Sequence, residues 1–165
     1  MSDEALLHER VRAALAAWSI PHRVLACDPE VADTAAFCAR YGYPPESSLN
    51  TIVVAGKREP RAFAACVVQS SGRLDVNHRV RGLMGVARVS FASADDTVQA
   101  TGMLVGGVTP IGLPEGWAVY VDEPIRALAS VILGGGNRSS KIELDPRDLE
   151  RIPGLQFVSA LTLPR

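Results

Sequence analysis

Two runs constrain this chain more than anything else in it: Thr51-Ile52-Val53-Val54-Ala55 and Ala62-Phe63-Ala64-Ala65-Cys66-Val67-Val68. Both are apolar nearly throughout and rich in residues that favour strands. The charged turn Gly56-Lys57-Arg58-Glu59-Pro60 separates them. Short apolar runs of this kind, divided by a turn, read as a hairpin of buried strands.

The flanking segments alternate between helix and strand signals. Leu6, Leu7, Val11, Ala14, Leu15 and Trp18 share one face at helical spacing, which predicts an amphipathic helix over residues 3–18, stopped by Ser19-Ile20-Pro21. Residues 23–26 suit a short strand. Asp33 is placed to cap a helix over residues 34–41, which Gly42 ends and Pro44-Pro45 keeps from resuming. A short helix within residues 74–83 closes at Gly85, and residues 87–91 alternate like a strand. Ser93 and Asp96 have capping-box spacing, which opens a helix over residues 94–100 before Gly102. Residues 117–122 read as a strand, 123–129 as a helical turn, 130–133 as extended and 141–144 as another strand. Asp145-Pro146 opens a helix to Ile152, and residues 157–161 form a last strand.

Short helices thus interrupt many short strands without a regular βαβ alternation. The predicted fold class is α/β or α+β, with a mixed, barrel-like β-sheet surrounded by short helices. At 165 residues, with no repeat or linker, the chain reads as a single domain over residues 1–165.

Composition narrows the function classes. The formal charge of −1 gives no global drive toward nucleic acid, although Lys57-Arg58 with Arg61, His78-Arg79 with Arg81, and Arg138 with Lys141 form local basic patches. Cys27, Cys38 and Cys66 show no CxxC spacing and the three histidines are scattered, so no metal site and no cofactor is expected. Met1-Ser2-Asp3-Glu4 lacks a signal-peptide pattern, and no apolar run is long enough to span a bilayer. A cytoplasmic protein without a membrane partner is expected.

The run from Leu104 to Pro114 carries the main binding candidate. Gly106 and Pro110 bracket three residues, and Gly112 and Pro114 follow. Glycines let a backbone reach positive φ and let a ligand come close, while prolines fix φ. Such a loop can present main-chain groups to a small polar ligand, or it can be only a turn between strands. No GxSxG elbow or Cys–His pairing supports a covalent nucleophile.

The order of several segments resembles a known family. These are Pro44 to Val54; Gly72-Arg73-Leu74-Asp75; Val89-Ser90-Phe91-Ala92-Ser93; and Thr101-Gly102 followed by Gly106-Gly107-Val108-Thr109-Pro110-Ile111-Gly112, which includes a GxxxP signature. Tyr120-Val121-Asp122, Gly135-Gly136 and Ile142-Glu143-Leu144-Asp145-Pro146-Arg147-Asp148-Leu149 complete the set. Together they resemble the YbaK/prolyl-tRNA synthetase-associated domain, an editing module for mischarged tRNA.

The resemblance implies a mixed, barrel-like sheet and, as ligand, the 3′ end of an aminoacyl-tRNA. It implies hydrolysis in trans of the ester to a small amino acid such as alanine, cysteine or a proline-like analogue. The implied route is substrate-assisted, with a ribose hydroxyl and bound water carrying the proton traffic. An aminoacyl-tRNA synthetase is an implied further partner. Editing of this kind answers a physical limit, since a pocket rejects a slightly smaller side chain by only about 1–3 kcal/mol.

On this resemblance the catalytic positions are Asn50, Gly106 and Pro110. Thr51, Gly107, Thr109, Gly112, Gly135, Gly136 and Arg138 are substrate-binding positions. Family enzymes carry a lysine where this chain has Asn50. Charged hydrogen bonds contribute about 1.5–3 kcal/mol against about 1 for neutral ones, so the exchange amounts to one or two decades in binding or rate. Two readings therefore stand: a deacylase, or a catalytically impaired homologue that binds an aminoacyl-nucleotide, another small ligand or a protein partner.

Overall fold

A computed structural model describes residues 3–164. Met1 and Ser2, the first half of the acidic N-terminal tetrapeptide, lie outside the described residues, as does Arg165. The hairpin forms as expected from β2 (Leu49–Gly56) and β3 (Phe63–Gln69), in a register that sets Asn50 opposite Val68 and Val54 opposite Ala64. The first strand starts two residues earlier than its apolar run, so Asn50 lies inside it rather than before it.

Six further strands complete the sheets: β1 (Arg23–Ala26), β4 (Val89–Phe91), β5 (Ala118–Asp122), β6 (Val131–Gly134), β7 (Ser140–Leu144) and β8 (Leu155–Val158). Five of the eight form one mixed sheet in the order β4-β2-β3-β5-β8. Within it β2 runs antiparallel to β3 and β4, while β5 runs parallel to β3 and β8. The other three form an antiparallel sheet, β1-β7-β6. The expected mixed sheet with short helices is found, but it does not close into a barrel. Among the described residues, an isolated parallel bridge between Ser48 and Ile132 links the two sheets.

Alternation along β3 explains why its run is apolar throughout. Ala65 and Val67 enter one core, and Ala64, Cys66 and Val68 enter another, so the strand has no wet face. In β5, Val119 and Val121 likewise face the first core while Tyr120 faces the second. The first core takes in Ile142 and Leu144 of β7, Leu133 of β6 and the helix α1 (Glu9–Ala17) through Val11, Ala14 and Leu15. The second is covered by a π-helical turn, Val76–Val80, that runs into α3 (Arg81–Met84).

The helix expected over residues 3–18 is interrupted. Asp3–Leu6 forms a 3-10 turn, and α1 starts at Glu9 because His8 adopts an extended backbone and caps it. The His8 Nδ1 accepts from the Arg10 amide at 3.1 Å, and the His8 amide donates to the Gly135 carbonyl at 3.1 Å. That second bond diverts the chain toward the glycine run. Helices α2 (Thr34–Tyr41) and α4 (Ala94–Thr101) end as expected at Gly42 and Gly102, both left-handed. The segment after Asp145-Pro146 is a 3-10 helix, Pro146–Arg151, and the last strand ends at Val158 rather than extending to 161. Among the described residues no helix is long and apolar enough to cross a membrane.

Candidate active site

Asn50 sits where β2 passes the first turn of α2. Its Oδ1 accepts a hydrogen bond from Thr34 Oγ1 at 2.5 Å. With the carbonyl oxygen engaged, the Asn50 amide nitrogen is left to donate to a ligand. Two adjoining hollows, of about 320 Å³ and about 630 Å³, share Thr34, Asn50 and Gly106 as lining residues. The smaller is closed by Thr51, Ile52, Ala92, Thr97, Val105 and Lys141. The larger runs toward Cys38, Tyr43 and Ser70. Thr51 Oγ1 is shut off from solvent and has no hydrogen-bond partner.

Of the residues singled out from the sequence, the structure brings Asn50, Thr51 and Gly106 to this cleft. Gly107, Thr109, Pro110, Gly112, Gly135, Gly136 and Arg138 are not among its lining residues. Their roles in the fold are visible. Gly107 and the Gly134–Asn137 stretch lie backbone against backbone: the Gly136 amide donates to the Gly107 carbonyl at 2.6 Å. A Cβ on Gly107 would fall 2.0 Å from the Asn137 carbonyl oxygen. On Gly136, whose φ is +88°, it would fall 2.6 Å from the His8 Cβ. The glycines expected to admit adenosine thus admit a neighbouring segment of the same chain. Gly112 makes the same kind of close approach to the carbonyl of Arg10. Thr109 is fully buried, with its hydroxyl unpartnered, and Pro110 is buried beside it.

Arg138, expected at a phosphate, is a clamp. Its Nε donates to the Pro29 carbonyl at 2.9 Å, and its Nη1 to the Val105 carbonyl at 2.9 Å and Asp33 Oδ1 at 3.1 Å. Asp33 is the N-cap residue of α2 but makes no side-chain capping bond, because its carboxylate turns to Arg138 instead. Gly106 sits where the guanidinium passes, and its φ of +91° is a conformation that favours glycine.

In the sequence Lys141 stands out only as half of a basic patch with Arg138 and as one of several cations able to reach in where the family's lysine is missing. It lies on β7, opposite Gly134 of β6, and is 5% exposed. Its Nζ donates to the Ala32 carbonyl at 2.6 Å and the Gly106 carbonyl at 2.8 Å, with the Phe37 ring 5.5 Å away. Burial pushes its pKa below the ordinary lysine value. The strand Lys141-Ile142-Glu143-Leu144 alternates as a half-wet strand would, which makes the lysine look solvated. The covering of that face by α2 through Phe37 is a tertiary fact that the alternation does not carry. No cluster of three or more His, Cys, Asp or Glu side chains suited to a metal occurs among the described residues.

The sequence model described as the aminoacyl-tRNA editing domain matches residues 28–152. The chain belongs to this family. The segment covers the cleft, both glycine runs and Lys141, so every residue that lines the cleft lies within the editing domain. The domain is 26% identical over 112 residues to the "Putative Cys-tRNA(Pro)/Cys-tRNA(Cys) deacylase EbsC" of Enterococcus faecalis, covering 68% of this chain and 66% of that protein. It is 31% identical over 83 residues to the uncharacterized protein YwhH of Bacillus subtilis, covering 50% of this chain and 52% of that one. The matched regions thus span about half to two thirds of the relatives' own lengths. Among solved structures, a hypothetical protein superposes with a TM-score of 0.83 at 26% identity, covering 94% of this chain and all of that one. A "putative trans-editing enzyme for prolyl tRNA synthetase" superposes with a TM-score of 0.82 at 21% identity over 99% of each chain, a likeness of fold.

Proposed function

We propose that this editing domain is an aminoacyl-tRNA deacylase acting in trans, and that the cleft at Asn50 holds the aminoacyl-adenosine end of a mischarged tRNA. The observation that carries the reading is the makeup of the smaller hollow. It is lined by threonines, aliphatic residues, Asn50, Lys141 and the Gly106 backbone, without a serine, cysteine, histidine or carboxylate. A half-apolar lining with donors at Asn50 and Lys141 and no general base suits hydrolysis in which water attacks and a ribose hydroxyl of the substrate helps to move the proton. A hollow of about 320 Å³ suits a small amino acid such as alanine, cysteine or a proline-like analogue. The Enterococcus relative, named as a deacylase of cysteinyl-tRNA, supports the same reaction class. The Asn50 amide faces the ester end, and the larger hollow beside Tyr43 takes the nucleoside. In this reading the partners are a tRNA and a synthetase that releases it, both in the cytoplasm.

The neutral side chain at Asn50 favours the second reading, a binding module with the pocket kept and the chemistry lost. Deacylation of alanyl-, cysteinyl-, seryl- and prolyl-tRNA by the purified protein separates the two. Turnover of one mischarged species above the spontaneous rate establishes the enzyme. No turnover on any of them, with retained binding of a non-hydrolysable aminoacyl-adenosine amide, establishes the binding module.

A further inference from the structure

Lys141 is a buried ammonium without a counter-ion. No carboxylate forms an ion pair with it among the described residues. Asp33 bears on it electrostatically, but that carboxylate is bound by Arg138 at 3.1 Å. The carbonyls of Ala32 and Gly106 take two of the three ammonium protons and neutralise none of the charge. An uncompensated buried ion costs several kcal/mol even after relaxation. The side chain lines the smaller hollow with Asn50, Thr51 and Gly106. A cation held nearly dry at the wall of such a hollow is a site for negative charge.

We propose that Lys141 is the anion-binding group of this cleft, and that the anion is the oxygen on which charge develops during ester hydrolysis. The inference rests on the deacylase reading above. As a water oxygen bonds to the ester carbonyl carbon, the π pair moves onto the carbonyl oxygen. That oxyanion accepts the third Lys141 proton as a hydrogen bond, without proton transfer. When the pair returns, the bond from carbon to the ribose oxygen breaks. The ribose oxygen takes the proton that the attacking water gives up, leaving free amino acid and ribose hydroxyl. Because the same nitrogen holds the Gly106 carbonyl, the loop and the charge keep a fixed relation.

The test uses two ligands: 3′-deoxy-3′-alanylamino-adenosine, a neutral amide, and its phosphonamidate analogue, in which tetrahedral phosphorus carries an anionic oxygen at the carbonyl position. Calorimetric titrations at fixed ionic strength compare the wild type with Lys141→Met, Lys141→Gln and Lys141→Arg. The wild type is expected to prefer the anion by about 100-fold, the scale of one oxyanion donor. Both neutral variants should bring the preference within about threefold, with the loss falling mainly on the anion rather than the amide, and the arginine variant should keep about tenfold. A neutral variant that retains the full preference overturns the assignment. A wild type that binds both ligands equally overturns it too, and leaves the deacylase reading standing. A wild type that binds neither ligand overturns the deacylase reading, and this proposal with it.

Discussion

Asn50 and Thr34 form the smallest unit with a functional consequence. Thr34 Oγ1 fixes the Asn50 carboxamide by donating to its oxygen at 2.5 Å. Asn50→Ala should lower kcat/KM about fivefold to tenfold, the worth of about 1 kcal/mol of neutral hydrogen bonding. Thr34→Val should cost less. The pair should be non-additive, the double variant being no worse than Asn50→Ala alone, because the threonine acts through the asparagine. Deacylation rates of the four proteins measure that cycle, and additive losses would give Thr34 a separate role. Asn50 was legible in the sequence as the residue at the family's lysine position, and Thr51 with it. Lys141 was not legible, because its burial is produced by Phe37 of α2 and by Ala32 just before that helix, about a hundred residues away in sequence.

At the scale of elements, the glycine-rich loop after α4 and the Gly134-Gly135-Gly136 run act as two halves of one packed joint. Gly107 meets Asn137, Gly135 meets Ser140 and Gly136 meets His8 at distances that leave no room for a Cβ. Gly107→Ala should therefore destabilise the protein by about 1–3 kcal/mol or more through overpacking of backbone on backbone. Gly82→Ala, where nothing lies within 4 Å of the added carbon, should change stability little or raise it. Urea unfolding midpoints compare the two. The sequence marked both glycine runs as places of close approach, and that much was right. What approaches differs: sequence identifies where a side chain is unwelcome, but not whether the occupant is a ligand or another stretch of the chain. The hairpin and the capped helices α2 and α4 were readable because their signals are local. The break at His8 was not, since it depends on a hydrogen bond to Gly135, far along the chain.

Across the whole molecule, two cores share the central strands, and Cys66 belongs to the second. Burial pushes its thiol up to about 12 from 9.0. A raised thiol pKa in the fold leaves stability unaffected below pH 9, where both states hold the proton. Above it the unfolded chain releases the proton and the native one does not, so stability falls from pH 9 until about pH 12. Cys66→Ala should flatten that alkaline fall relative to the wild type, at the cost of about 1 kcal/mol at neutral pH from lost packing. Urea midpoints of both proteins between pH 7 and about pH 11 test the sign. Ile142, fully buried where β7 meets the first core, should cost about 2–5 kcal/mol when cut to alanine. The mixed sheet was readable from alternating short helices and strands. Its failure to close was not, because closure depends on long-range strand pairing, and next to β2 and β6 only the isolated bridge of Ser48 with Ile132 forms among the described residues.

The central claim is that the cleft at Asn50 is where the aminoacyl end of a tRNA is bound for hydrolysis. A crystal structure with 3′-deoxy-3′-alanylamino-adenosine tests it most directly. The alanyl carbonyl is expected within hydrogen-bond reach of the Asn50 amide and the Lys141 ammonium, with the ribose toward Tyr43. The nucleoside bound instead at the hollow beside Lys57, Arg58 and Arg88, with the Asn50 cleft empty, would contradict it.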